Sequence, residues 1–427
     1  MLTAHPQREA LHNEVHARPY ELLKAPLALT HIALLGPEAD AAREHIVTLL
    51  RNRHLPLPAE DANHLSTDLG GVHLRWEKHT EFHTCTFWKA LHDEPDSFDA
   101  PALADVPQEW LAAMPGQWLV GLHMLVLSER GPDAHERVQQ LVRRNLQEES
   151  LLGASVMDGD AQVYTDLRLA ADGCARVVLV ADGMSPRRLG RAVQRLLEVE
   201  TYRMMALLGL PMAREVGASL MHAERDLADV AGQIRSARRH EEPELLRQLT
   251  QLAGQVESLY ARTHARFSAS GAYFELVQRR IDELREHRLE NLQTLGEFMD
   301  RRLAPAMQTC VWAARRQQAL SERISRTSNL LRTRVEIEQQ QSSQELLDAM
   351  NRRQKAQMLL QSAVEGLSVA AVTYYGAGLV GYIAKGAKAA GWPVSSDIAV
   401  ALCIPLIAIA VWWGIRRLHR RVQADVD

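Results

Sequence analysis

Residues 366–384 read GLSVAAVTYYGAGLVGYIA and residues 398–415 read IAVALCIPLIAIAVWWGI, and neither run contains a charged residue. Each run is close to the length of about 20 residues that a helix needs to cross a hydrocarbon core of about 30 Å. Aromatic side chains, which favour membrane interfaces, lie at or near several ends: Tyr374, Tyr375, Tyr382, Trp392, Trp412 and Trp413. The two runs predict a transmembrane hairpin within residues 363–416. The alternative is a pair of buried core helices.

Basic residues around the two runs predict the orientation of the hairpin. Only Lys385 and Lys388 lie in the connection between the runs, whereas seven basic residues lie on the side of the chain termini: Arg352, Arg353, Lys355, Arg416, Arg417, Arg420 and Arg421. Lysine and arginine are enriched in loops that stay in the cytoplasm. We therefore expect a multi-pass membrane protein with both termini in the cytoplasm and a basic cytoplasmic tail over 417–427.

The composition of the 427 residues is that of an ordinary globular protein, with 46% apolar and 24% charged residues. The net charge of −4 is small for this length, so no overall basic field favours nucleic acid as a partner. The cysteines lie far apart without a Cys-x-x-Cys pair: Cys85, Cys174, Cys310 and Cys403. This usage is typical of a reducing compartment, without a disulfide framework.

The first 184 residues alternate between strand-like and helical patterns, which predicts a cytoplasmic mixed α/β domain. Helical stretches cover 37–53 and 132–147, and strand-like runs cover 27–35, 72–80, 84–88, 118–127, 161–170 and 174–180. These runs predict a mixed sheet with helices. The chain has no Gly-x-Gly-x-x-Gly motif, no phosphate loop and no Gly-x-Ser-x-Gly motif. We therefore expect neither enzymatic activity nor a cofactor.

Residues 185–362 are almost entirely helical in pattern and predict a long helical, coiled-coil stalk. Ser185-Pro186 is a favourable helix start, and further helices are predicted over 213–240, 243–268 and 274–303. From Pro305 onwards the apolar positions Leu320, Ile324, Leu331 and Val335 have spacings compatible with coiled-coil packing. This last helix either runs unbroken into the first span or is interrupted at Gln339–Ser343. The predicted fold class is thus α+β, with a stalk and a membrane hairpin.

Three segments resemble one bacterial family of membrane-anchored proteins, the domain-of-unknown-function family 3422. They are HNEVHARP at 12–19, RLLEVETYRMMALLGLP at 195–211 and VEGLSVAAVTYYGAGLVGYIAKG at 364–386. The resemblance extends over nearly the whole chain. It implies anchoring in the bacterial inner membrane and carries no assigned activity.

The predicted architecture is also similar to that of the CorA-type metal ion transporters, which are homopentamers with a Gly-Met-Asn motif at the pore entrance. The matching position here reads Gly381-Tyr382-Ile383-Ala384-Lys385, which keeps the glycine and lacks the methionine and the asparagine. Lys385 and Lys388 would surround an oligomeric pore mouth with positive charge, which repels cations. The resemblance therefore implies the fold more strongly than divalent-cation transport.

Small residues recur along one side of the first predicted span. Thr373, Ala377 and Gly381 have i, i+4 spacing, so they share one helix face. Such a face favours close helix packing, within the hairpin or between subunits, and the alternative is a pore lining. Glu365, at the cytoplasmic end of the span, either pairs with a base such as Arg353 or binds a cation.

Histidines are concentrated in the N-terminal part, where 13 of the 18 precede residue 136. His12 and His16 are four residues apart, as metal ligands on a helix are. Glu14 would nevertheless point away from a metal that they held, because it lies two residues from each of them. His73, His83 and Cys85 lie on neighbouring strand candidates, where a soft-metal site is a further hypothesis. We expect scattered histidines without a metal to be the better interpretation of both groups.

Two functions from different classes follow from these patterns. The first is a membrane-anchored, homo-oligomeric scaffold or regulatory protein that faces the cytoplasm and binds a protein partner there. The second is a CorA-like ion channel or transporter, pentameric if the resemblance holds, with altered or absent divalent-cation selectivity. The lost asparagine and the basic connection favour the first function.

Overall fold

The computed structural model describes residues 4–8, 11–12, 19–36, 39–60, 62–128, 133–181, 183–391 and 395–424, without the side chains at 39, 396 and 418–424. The chain forms two compact units. The sheet unit consists of Met1–Ala237 and Glu244–Ser328, and the hairpin unit consists of Arg238–Pro243 and Asn329–Asp427. The sheet unit extends well beyond residue 184, where the sequence patterns end the α/β domain.

One nine-stranded mixed sheet organises the sheet unit, as the alternating patterns predict. Its order is β2-β3-β4-β1-β5-β8-β7-β6-β9, and among the named strands only β5 and β8 pair in parallel. The strands are β1 (Leu27–Leu35), β2 (His64–Asp68), β3 (His73–Lys78), β4 (Phe82–Ala90), β5 (Gln117–Ser128), β6 (Leu152–Val156), β7 (Ala161–Thr165), β8 (Ala175–Ala181) and β9 (His287–Arg288). A strand overlaps each of the six predicted runs, although β7 covers only the first half of the run over 161–170, and the short strands β2, β6 and β9 were not predicted.

Helices cover both faces of the sheet, because alternate residues of each central strand point to opposite sides. On one face, Trp76 of β3 and Phe87 of β4 pack against α1 (Ala39–Asn52), and the short helix α2 (Gln108–Ala112) borders this cluster. The same face of β5 and β8 packs against α3 (Ala134–Asn145). The opposite face packs against α4 (Pro186–Leu207). The two predicted helices over 37–53 and 132–147 are thereby confirmed as α1 and α3.

Long helices make up most of the chain after residue 185, in agreement with the predicted pattern. They are α4, α5 (Gly209–Ser236), α6 (Glu242–Leu284), α7 (Leu295–Ala389) and α8 (Ser396–Ala424). Ser185 caps α4 as predicted, since its hydroxyl oxygen accepts a hydrogen bond from the Arg188 N–H. Gln339–Ser343 lies inside α7, so of the two alternatives the unbroken helix is confirmed. Leu320, Ile324 and Leu331 are buried.

The predicted continuous helix over 274–303 is wrong. α6 ends at Leu284, and β9 pairs with β6 before α7 begins at Leu295. Thr294 and Glu297 explain the new start: the Thr294 hydroxyl accepts from the Glu297 N–H and the Glu297 carboxylate accepts from the Thr294 N–H, both at 3.1 Å. This reciprocal pair is a capping box.

Candidate functional site

A cavity of about 290 Å³ lies between α4 and the sheet face formed by β1, β3 and β4. The antiparallel register brings polar side chains together there, because Arg75 is opposite Thr86 and Glu77 is opposite Thr84. The same register places Thr86 opposite His31 of β1. Alternation along each strand then directs these five side chains away from the apolar cluster against α1 and into the cavity.

His31 is held at both ring nitrogens. The Thr201 hydroxyl donates to the Leu197 carbonyl at 2.8 Å, so its oxygen is an acceptor for His31 Nε2–H at 3.0 Å. In the neutral ring, Nδ1 is then the acceptor for the Thr86 hydroxyl at 2.8 Å. His31 therefore connects α4 to the sheet as a neutral imidazole with a defined tautomer.

Burial lowers the pKa of His31 to about 4. The Glu77 carboxylate opposes this shift, whereas His79 and Arg75 add to it. Desolvation dominates because the imidazolium would lose its hydration in this site. The His31 ring is consequently neutral at physiological pH.

Arg75 fixes the sheet side of the cavity. Its guanidinium donates to the Pro19 carbonyl at 2.7 Å and to Glu77 Oε1 at 2.9 Å, and it lies 3.7 Å from Glu21 Oε1. Its side chain is only 8% exposed, so these contacts replace most of its hydration. Pro19, which ends the HNEVHARP segment, and Glu21 just after it are thus tied to the wall of the cavity.

A second ion pair closes the opposite side of the cavity. Arg280 of α6 is ion-paired with Glu198 of α4, and the Gln194 amide donates to Glu198 Oε1 at 2.8 Å. Arg280 also contacts Glu283 at 3.0 Å. Charges of both signs therefore face the same cavity, between α4, α6 and the sheet.

The remaining wall is apolar and aromatic, with Leu29, Phe82, Trp88, Val193 and Leu197. Small-molecule sites typically combine such a wall with a few fixed polar groups, and their volumes begin near about 300 Å³. The arrangement fits a small molecule that carries at least one charged or hydrogen-bonding group and an apolar part.

The structure separates the histidines that the sequence grouped as candidate metal ligands. His83 and Cys85 share one face of β4, but Cys85 is fully buried in the apolar cluster against α1, and burial raises the pKa of its thiol. His83 Nε2 bonds to the Pro115 carbonyl at 2.9 Å. His73 stacks on Trp88, which contributes to the opposite side of the sheet. These three side chains do not converge.

Of the N-terminal pair His12 and His16, His16 lies outside the described residues, so a metal site at this pair stays an untested hypothesis. His12 is exposed.

The small-residue face of the first span packs against the second span. A Cβ on Gly381 would lie 3.3 Å from Val400, and one on Gly376 would lie 3.2 Å from Ile407. Ala377 is buried on the same face, and Thr373 is half-buried. Glu365 is half-buried and Lys385 is exposed. The close approach thus occurs within the hairpin.

The cavity was not predicted from the sequence, because its residues come from six segments, namely the chain before β1, β1, β3, β4, α4 and α6, whose meeting depends on strand register and helix packing. One signal was available: β3 and β4 carry Arg75, Glu77, Thr84 and Thr86 at alternate positions. A strand pair with a polar set on one side and apolar residues on the other indicates two different environments.

Comparison with known proteins gives one extensive match. A family model described as protein of unknown function (DUF3422) matches residues 3–422. No curated protein matches the chain. Two chains of solved structures match. One of them, described as "structure of the full-length CmaX protein", is 14% identical and covers 72% of this chain and 91% of that chain with a TM-score of 0.17. This score carries no structural argument.

Proposed function

The chain belongs to the family of proteins of unknown function DUF3422, and on that premise we propose that it is a membrane-anchored regulatory or scaffold protein whose sheet unit binds a small polar molecule. In this proposal the hairpin holds the protein in the bacterial inner membrane with both termini in the cytoplasm. The protein forms a homo-oligomer, and occupancy of the cavity regulates its contact with a cytoplasmic protein partner.

The observation that carries the proposal is the exposed apolar surface of the hairpin unit. Two helical segments are long and apolar enough to cross a membrane, and almost nothing of either is buried. Large side chains on them are exposed by half or more, among them Leu367, Leu379, Tyr382, Ile383, Ile398, Leu402, Leu406, Ile409 and Trp413. Burial of each contributes about 1.5–3 kcal/mol. A lipid bilayer offers that burial along the whole hairpin.

The end of the second span supports its proposed placement at a membrane interface. The Arg416 guanidinium lies 4.5 Å from the ring centroid of Trp412, and that of Arg417 lies 5.2 Å from the ring centroid of Trp413. Tryptophan and arginine are a favourable combination at a membrane interface, because their apolar parts stay in the lipid while the polar groups reach water.

The cavity supports the regulatory part of the proposal. Its polar groups come from α4, α6 and the sheet, so a bound molecule would contact all three at once. A ligand that binds only the folded state stabilises it, by an amount that grows with the logarithm of the ligand concentration above Kd. A small molecule can therefore bias the packing of α4 on the sheet.

Thermal unfolding of the detergent-solubilised full chain, in the presence of a panel of amino acids, nucleotides, carboxylic acids and polyamines, tests this proposal. At least one compound is expected to raise the melting temperature of the wild type. This increase in melting temperature should be smaller in Thr201→Val and Thr86→Val, which remove hydroxyls from the cavity at nearly constant volume. The control Thr327→Val changes a half-buried threonine of α7 that does not line the cavity, and it should respond like the wild type.

Two results would contradict binding at the cavity. If no compound in the panel stabilises the protein, or if the Thr201→Val and Thr327→Val variants respond alike, the cavity is not the binding site. Saturable uptake of Mg²⁺, Zn²⁺ or Ni²⁺ into proteoliposomes would contradict the proposed class itself and support the ion channel or transporter instead.

A further inference from the structure

Three potential metal ligands meet on the side of the sheet opposite the cavity. His123 lies in β5, and Asp172 and Cys174 lie in the turn that leads into β8. Because β5 and β8 are neighbours in the sheet, the end of the turn is brought beside His123. His123 and Thr30 are register partners on the face that does not carry His31. This cluster is therefore separate from the cavity.

The ligand atoms have nearly the spacing that one ion requires. One nitrogen of His123, one carboxylate oxygen of Asp172 and the Cys174 sulfur all lie within 4.8 Å of one another. His123 Nε2 and Asp172 Oδ2 are 3.6 Å apart. In tetrahedral zinc sites, bond lengths of about 2.0–2.3 Å place neighbouring ligands about 3.4–3.6 Å apart. The nitrogen–oxygen pair fits this geometry, and the sulfur needs a shift of at most about 1 Å.

The contacts of His123 leave the correct nitrogen available. Its Nδ1 lies 2.9 Å from the Thr30 hydroxyl oxygen, which also accepts the Leu103 N–H at 3.4 Å. Histidine ligands of metals usually donate their second ring N–H to such a partner, which fixes the tautomer and the ring orientation. Nε2 is consequently directed towards Asp172.

The turn positions the other two ligands. Asp172 Oδ1 accepts the Cys174 N–H at 2.9 Å, so the carboxylate is held with Oδ2 towards His123. The side chain of Asp172 is 42% exposed, whereas His123 and Cys174 are buried. A hydrated ion can therefore approach from the side of Asp172 and lose its water as it reaches the buried donors.

The positively charged Arg176 lies beside the three potential metal ligands. Its guanidinium lies 3.8 Å from Asp172 Oδ2, 3.4 Å from the Asn145 side-chain oxygen and 5.3 Å from the Phe98 ring centroid. The contacts with Asn145 and Phe98 hold Arg176 at the edge of the cluster. A thiolate and a carboxylate together balance the charge of a divalent ion at these ligands.

We propose that His123, Asp172 and Cys174 form a zinc-binding site with three protein ligands and a fourth position for water. A mixed set of imidazole nitrogen, thiolate sulfur and carboxylate oxygen suits Zn²⁺, whereas Mg²⁺ and Ca²⁺ prefer oxygen ligands alone. The site ties the turn before β8 to β5.

The test uses the detergent-solubilised full chain, stripped with a chelator and then titrated with Co²⁺ as a spectroscopic substitute for Zn²⁺. The wild type is expected to bind one Co²⁺ per chain, with the near-ultraviolet charge-transfer band of a thiolate ligand. Excess Zn²⁺ should abolish the band by displacement. A wild type that shows no such band and retains no Zn²⁺ after dialysis overturns the proposal, whatever the variants do.

Variants assign the ligands. Cys174→Ser should abolish the thiolate band, and His123→Ala should remove stoichiometric binding. Thr30→Val should weaken Zn²⁺ binding by about 10-fold or more, because it removes the partner of the ligand histidine. Cys85→Ser and His83→Ala are matched controls on the same sheet outside the cluster, and both should bind like the wild type. Loss of the band in Cys85→Ser with retention in Cys174→Ser would refute the assignment.

Discussion

His31 illustrates at the scale of a residue how burial determines chemistry. The ring is surrounded by two threonine hydroxyls and by the charged groups of Glu77 and Arg75, yet desolvation lowers its pKa to about 4. Because the unfolded chain has a histidine pKa near 6.5, protonation favours the unfolded state below that value. The contribution of His31 to stability is therefore present above pH 6.5 and is lost as the pH falls to about 4.

His31 thus predicts a pH dependence of stability. Between pH 6.5 and 4, the unfolding free energy of the wild type should fall by about 3 kcal/mol through this residue. The glutamine of His31→Gln does not titrate in this range. The unfolding free energy of this variant should therefore depend less steeply on pH, by the equivalent of about one proton taken up on unfolding. Chemical unfolding at a series of pH values measures both slopes. Equal slopes in the two proteins would show that His31 is not held neutral.

At this scale, the sequence predicts which residues share a strand face but not which residues surround them. His83 and Cys85 do share a strand face, as alternation predicts. Their partners could not be predicted, because those depend on which strands pair and in which register. The same limit hid the cavity around Arg75 and the cluster in which His123 meets Asp172 and Cys174, because His123 lies in another strand, far from the other two in the sequence.

At the scale of elements, long periodic segments were predictable and short ones were not. The run over 27–35 is β1 in full, because a largely apolar segment of nine residues is long enough to be recognised as a buried strand. Strands β6 and β9 have five and two residues, too few for a period to be recognised. The break after Leu284 was overlooked although Thr294-Leu-Gly-Glu297 is a capping-box sequence.

Two glycines of α5 give a matched test of helix packing. A Cβ on Gly209 would lie 2.5 Å from the buried Ser270 hydroxyl oxygen of α6, whereas one on Gly217 would contact nothing within 4 Å. Gly209→Ala should therefore lower the unfolding free energy by about 1–3 kcal/mol through overpacking. Gly217→Ala should raise it by up to about 1 kcal/mol, because alanine is the better helix former.

Chemical unfolding of the two alanine variants measures the difference between these positions. The double variant Gly209→Ala/Ser270→Ala should recover part of the loss, since it removes the hydroxyl oxygen that the new methyl group meets. Similar stabilities of Gly209→Ala and Gly217→Ala would contradict the close approach of α5 and α6.

At the scale of the whole molecule, local composition predicted more of the architecture than sequence motifs did. Two uncharged runs predicted the hairpin, because a bilayer imposes length and polarity on any helix that crosses it, and both runs lie in helices that are long and apolar enough to cross a membrane. The extent of the sheet unit could not be predicted in the same way. Helices α4 to α6 and the beginning of α7 resemble a separate stalk in sequence, but their buried residues share one core with the sheet.

Alkaline carbonate extraction of membranes from cells that express the full chain tests the central claim that the hairpin anchors the protein. The wild type is expected to stay in the membrane pellet. Leu402→Arg/Ile409→Arg should move to the supernatant, because each arginine near the centre of a span costs about 2.5–3.5 kcal/mol. Leu346→Arg/Leu347→Arg, a matched control on exposed residues of α7 outside the span, should stay in the pellet. Release of the wild type into the supernatant would contradict the account.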